Sequence, residues 1–259
     1  MLLRRITEHI KNQNWFAVFL DFVIVVLGVF IGIQVANWNE ARFERKLSDQ
    51  YLNSLSLDLQ RDLQFSEALS DYYEEVLLHV IKTDELLNAK DAENLSLVVS
   101  AYRASEVGYS APRISTWEQV VSSGHLGLLP QEVIDSGLSE YYEDNDSDKY
   151  SYNSLSASAY RKKVRSLIPL PVQLAIRTGC SDVFNDFGIV IGFTKQCEID
   201  VPSELIDEAA ANLKESSEVR FLVRFQYSLV YTLLNNISGN NVNIKKALNT
   251  IYAIFKDSE

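Results

Sequence analysis

WFAVFLDFVIVVLGVFIGIQVANW, residues Trp15 to Trp38, is the stretch on which the reading of this chain turns. A membrane-crossing helix needs roughly 20 predominantly apolar residues, each adding about 1.5 Å of rise. Between the two tryptophans the only ionisable residue is Asp21. Trp at both ends matches the aromatic belt of a membrane interface. The apolar run exceeds the core of about 7 to 15 residues found in a cleaved signal peptide, and no small-x-small cleavage site follows it. The segment is read as an uncleaved signal anchor. Residues 1–14 are then a leader, 15–38 a transmembrane helix and 39–259 an extramembrane domain.

The charge count leaves orientation open, because Arg4, Arg5 and Lys11 on one side balance Arg42, Arg45 and Lys46 on the other. The free amino terminus tips the reading toward a cytoplasmic leader. Beyond the anchor the chain is long enough for one domain with its own core. With 13 Tyr, 12 Phe and 3 Trp it carries enough aromatic surface to stay ordered. A net charge of -11 excludes a nucleic-acid partner, since no basic stripe is present to neutralise phosphates. The densest basic cluster, Lys162, Lys163 and Arg165, reads as a solvated helix face.

Cys180 and Cys197 are the two cysteines of the chain. Two such residues pair in an oxidising compartment, and closing so short a loop stabilises a domain by roughly 3 kcal/mol in the chain-entropy model. The alternative is a pair of buried free thiols.

No Pro or Gly falls between Trp38 and Gly108, so the membrane helix is expected to run straight into the domain and couple the two rigidly. Leu52, Leu55, Leu59, Leu63, Leu69, Tyr73, Val76, Leu77 and Val80 recur at helical steps, with Asp58, Arg61, Asp62 and Glu67 on other faces. A second helix is expected from about 92 to 106. Ser115 or Thr116 can cap a third, stopped at Ser122-Ser123-Gly124, and Pro130 suits the first turn of a fourth. Helical spacing resumes from Val133 through Tyr142 to Leu167 and ends at Pro169 and Pro171. A mixed segment through Pro202 holds both cysteines and a short hairpin near Ile189 to Phe193. Helices over 203–237, with a break near Ser216, and 243–255 close the chain, separated at Gly239.

Asp21, Gly28, Gly32 and Asn39 fall in one narrow arc of the membrane helix at about 100° per residue. Gly28 and Gly32 have the spacing that lets two helix backbones approach, which suits packing on a second copy or on another membrane protein. An intramembrane carboxylate such as Asp21 asks for a partner there, while a position near the helix end would let it reach the headgroups instead.

Asp144, Asp146 and Asp148 alternate like the start of a calcium loop, but Lys149 stands where Gly is needed and Leu155 where a bidentate Glu is needed. His9, His79 and His125 show no metal-ligand spacing. Ser122, Ser123 and His125 lack the nucleophile elbow and partners of a hydrolase, and no phosphate-binding or dinucleotide motif occurs. No enzymatic activity, metal or cofactor is expected.

The run Val26 to Glu40, VLGVFIGIQVANWNE, resembles the signature of a family of bacterial single-pass membrane proteins of unknown function. Thr116-Trp117-Glu118, Ser122-Ser123-Gly124, Leu126 to Leu129, Leu138 and Tyr141-Tyr142 are similar to its second block. The resemblance implies an inner-membrane anchor with a helical domain beyond it, in the periplasm, and supplies no activity. The fold class expected is all-α, a transmembrane helix continuing into a helical-bundle-like domain with a small hairpin around the cysteines. The expected role is an interaction or scaffold module in the bilayer; a ligand-binding or sensing domain is the alternative and requires a concave pocket with convergent polar groups.

Overall fold

The computed structural model describes residues 15–143, 145–186, 188–195 and 197–257, with backbone alone for 15–18, 21 and 145–148. The leader 1–14 and Asp144 lie outside the described residues, as do the side chains of Asp21, Asp146 and Asp148. By internal contacts the chain divides into two units at Tyr51/Leu52.

Helix α1 spans Trp15–Asn88. In the first unit its apolar side chains face outward, Phe22, Leu27, Phe30 and Ile33 among them. None of its most apolar 18-residue window is buried, and it is long and apolar enough to cross a membrane. Such a surface is stable only where its surroundings are also apolar. No proline interrupts α1.

The second unit is built on the other part of α1, where Leu52, Leu55, Leu59, Tyr73, Val76 and Val80 are fully buried on one stripe. Against it come α2 (Asn94–Arg103), α3 (Ser115–Ser122), a 3-10 turn at Leu126–Leu128, α4 (Gln131–Val133), a π-turn at Ile134–Leu138, α5 (Ser139–Glu143), α6 (Asn145–Ser156) and α7 (Ala159–Leu167). Then follow α8 (Leu170–Gly179), strands β1 (Asp182–Phe184) and β2 (Val190–Phe193), α9 (Ser203–Glu215) and α10 (Ser217–Asp257). The strands form an antiparallel hairpin with Asp182 opposite Phe193. A disulfide joins Cys180, just before β1, to Cys197, just after β2, with Cα atoms 4.6 Å apart. One core unites Tyr73 and Val80 of α1 with Leu97, Tyr160, Val172, Leu213 and Val230. The class is all-α with one small hairpin at the cysteines, as the sequence indicates.

Several boundaries differ from the sequence reading, each for a local reason. Ser115 lies inside α3, whose N-cap is Ile114 with no side-chain cap; Thr116 instead donates its hydroxyl to Asp58 Oδ2 at 2.5 Å. α7 ends at Leu167 before Pro169 as expected, but Pro169 and Pro171 also begin a helix, occupying the N-cap and the first turn of α8, where a missing N–H costs nothing. Gly239 does not separate two helices. The stripe of Val223, Val230, Leu233, Ile237, Ile244, Leu248 and Ile251 runs unbroken through it, and its burial outweighs the roughly 1 kcal/mol that Gly costs a helix interior. The break between the closing helices falls at Ser216, and a separate kink sits at Gly137, with φ of 108°.

Gly137 and Gly239 make a paired test. A Cβ on Gly137 would lie 3.0 Å from the Asn243 Cα, whereas one on Gly239 meets nothing within 4 Å. In urea unfolding of the detergent-solubilised chain, Gly137→Ala is expected to lose about 2 kcal/mol or more, and Gly239→Ala to gain about 0.5 to 1 kcal/mol.

Candidate functional site

α2 ends in the interior of its unit. Arg103, Ala104, Ser105 and Glu106 are all at most 2% exposed, so every polar group there needs a partner inside the protein. Gln226 of α10, itself fully buried, donates to the Ala104 carbonyl at 3.0 Å. Arg161 donates to the Ser105 carbonyl, and Arg165 Nε to the Ser105 hydroxyl at 2.7 Å. Cationic side chains at this end also suit the negative pole of the helix.

Around this helix end, three guanidinium groups share two carboxylates. Arg103 Nη1 donates to Glu106 Oε1 at 3.1 Å and to Asp182 Oδ1 at 3.2 Å. Arg177 Nη2 reaches Glu106 Oε2 at 2.8 Å, and Arg165 Nη2 pairs with the same oxygen at 3.2 Å. Aromatic faces hold the cations as well: Arg103 lies 4.1 Å from the Phe193 ring centroid and Arg165 lies 3.5 Å from that of Tyr102. Burial lowers the Arg165 pKa, with Glu106 and Tyr102 opposing it. For Arg177 burial also disfavours the charge, but Glu106, Tyr102 and Asp182 outweigh it and raise its pKa. The cluster keeps an excess positive charge within an acidic chain.

Two clefts flank this cluster. One, of about 580 Å³, is walled by Asp62, Phe65 and Tyr72 of α1, the 106–113 loop, Arg177, Asp182 and the hairpin. The other, of about 600 Å³, lies between α1, α2 and β2 and is lined by His79, Lys82, Val99, Arg103, Phe193 and Cys197 among others. Tyr73 anchors the loop of the first cleft, its hydroxyl donating to the Gly108 carbonyl at 2.7 Å and accepting the Gly108 N–H at 2.9 Å. Both volumes lie in the range of small-molecule sites, about 300 to 1,000 Å³.

Asp62 does not face solvent, as the sequence reading had it. It is 6% exposed and accepts the Arg113 N–H at 3.0 Å and the Tyr141 hydroxyl at 2.9 Å. Burial is the main cause of its raised pKa, with Asp58 adding to it. Arg165 likewise leaves the solvated face expected of it. Gly28, Gly32 and Asn39 are exposed, and a Cβ on either glycine would meet nothing within 4 Å. Ser122 turns its hydroxyl onto the Gln119 carbonyl and Ser123 is the C-cap of α3. Among the described residues no group of three or more His, Cys, Asp or Glu is placed to hold a metal ion.

Glu106→Gln removes the carboxylate shared by three arginines and is expected to cost about 3 to 5 kcal/mol. Lys163→Ala breaks the exposed Lys163–Glu218 pair and should cost less than about 1 kcal/mol; urea unfolding of both variants makes the comparison. His79 supplies a pH test. Burial, helped by Lys82 and Arg103, pulls its pKa from 6.5 to about 4. Between those values the unfolded chain takes up a proton that the folded chain does not. The stability that neutral His79 contributes is therefore complete above pH 6.5 and drains as pH falls toward about 4. Comparing unfolding at pH 5 and pH 7, His79→Gln is expected to flatten that slope.

No curated protein and no solved structure matches the chain. A family model matches residues 21–184, a span that holds α1 from residue 21 onward together with Arg103, Glu106, Arg165, Arg177 and Asp182. The chain belongs to that family, a family of unknown function designated DUF6090.

Proposed function

We propose that this chain is a single-pass membrane protein whose extramembrane domain binds a small polar ligand without catalysing a reaction. The observation that carries the reading is the pair of clefts on either side of one ion cluster, with Glu106, Arg177 and Asp182 lining the first and Arg103 the second, which gives the polar groups a binding site needs. An ion cluster in a core is a costly way to hold a fold together, and its position between two concavities gives that cost a use. The apolar stretch of α1 supports anchoring in a bilayer. The Cys180–Cys197 disulfide supports an oxidising compartment. With the family resemblance read from the sequence, these favour a bacterial inner membrane, a cytoplasmic N-terminus and a periplasmic domain.

The scaffold reading is kept as the second, carried by Gly28 and Gly32, which leave an open strip on the exposed apolar helix. A second copy or another membrane protein is the occupant that such a strip suits.

Alkaline phosphatase fused after Glu259 should be active in cells, with Cys180 and Cys197 protected from alkylation until reductant is added. An inactive phosphatase with freely alkylated thiols would reverse the orientation. Replacing Gly28 and Gly32 together with Leu should reduce self-association or partner recovery in a membrane two-hybrid assay; an unchanged signal removes the packing strip.

A further inference from the structure

We propose that the cleft between α1, α2 and β2 binds the carboxylate of a small organic acid, with Arg103 as its anchor; this rests on the ligand-binding reading above. The guanidinium of Arg103 is used on one side only. Its Nη1 serves Glu106 and Asp182, while Nε and Nη2 are buried and have no partner. Those two nitrogens present parallel N–H bonds along one edge of the planar group, the two-pronged fork that fits a carboxylate. A buried donor left without an acceptor bears its full desolvation cost, and a bidentate carboxylate relieves two at once.

The rest of the cleft is consistent with that ligand. Arg103 lines it and is 1% exposed, and the Phe193 ring against its face restrains the plane of the fork. His79 Nδ1 is a further buried polar atom without a partner on the same cleft. Lys82 and Lys195 line it too, beside the carboxylates Glu75 and Glu93. Leu78, Leu95 and Val99 give it hydrocarbon walls, which reward the body of an organic acid and offer nothing to inorganic phosphate. Since both Arg103 nitrogens are closed to bulk water, the carboxylate must part the side chains above them to dock.

The test is calorimetric titration of the full chain in lipid nanodiscs, with empty nanodiscs as the blank. The probes are benzoate, hexanoate and succinate, set against benzamide, inorganic phosphate and phenethylamine. At least one acid is expected to bind saturably, and benzamide about tenfold or more weakly than benzoate. Ser96→Phe, which fills the cleft from α2, should abolish acid binding, and Lys82→Glu on the exposed rim should weaken it about threefold or more. These variants leave Arg103 and its ion pairs in place. Acid binding that survives Ser96→Phe, or equal affinity for benzoate and benzamide, overturns the proposal. Saturable binding of phosphate or phenethylamine alone overturns the carboxylate and leaves the ligand-binding reading standing. No saturable binding of any probe overturns both.

Discussion

A guanidinium ion sits in the interior of this protein, and the surrounding structure is arranged to tolerate it. Taking such an ion out of water costs several kcal/mol even after relaxation. Arg103 recovers part of that through Glu106 three residues on, through Asp182 at the start of β1, and through the face of Phe193. Each partner has to be held in turn. Glu106 needs a buried loop, Asp182 and Phe193 need the hairpin, and the hairpin needs its disulfide to stay closed on a unit with no other sheet among the described residues.

The same arrangement explains why a loop is allowed inside. Residues 104–106 still donate their N–H groups to carbonyls of α2, but the chain then leaves the helix, and carbonyls buried in a loop of that kind need other partners. Here side chains from three helices do the work of secondary structure: Gln226 on Ala104, Arg161 on Ser105, and Tyr73 on both polar groups of Gly108, with Arg165 on the Ser105 hydroxyl. The concave wall of the first cleft is the by-product, because a loop tied back at its carbonyls does not fill the space that a continuing helix would.

Much of the architecture was legible in the chain. The apolar helix, its continuation to Asn88, the break near Ser216 and the cysteine hairpin all leave local patterns of composition or spacing. Where local rules misled, tertiary packing or position was the reason. Pro169 and Pro171 do follow the end of α7 at Leu167, but they also open α8, since at a helix start the missing donor is irrelevant and proline's stop signal hides a new start. Gly239 signals a break by composition, and the apolar stripe on both sides of it overrides that preference. The site itself was hardly visible. Asp62 follows Leu59 by three positions, so it sat on the apolar stripe, and a charge on a core face was the one signal available. The Arg103 to Asp182 and Arg177 to Glu106 contacts join positions 79 and 71 apart, and no periodicity within one element reports such pairs.

α10 has a role in time as well as in space. Arg220 near its start donates to the Leu87 carbonyl across 133 positions, and Gln226 reaches the Ala104 carbonyl across 122. The ends of α1 and α2 are therefore completed by residues made long after them. A chain still emerging from the ribosome, and not yet extended to Gln226, has its arginine core assembled in sequence but open at those carbonyls. Sealing of the interior is a late event in biosynthesis, and until then the exposed carbonyls can be satisfied only by water or a folding helper.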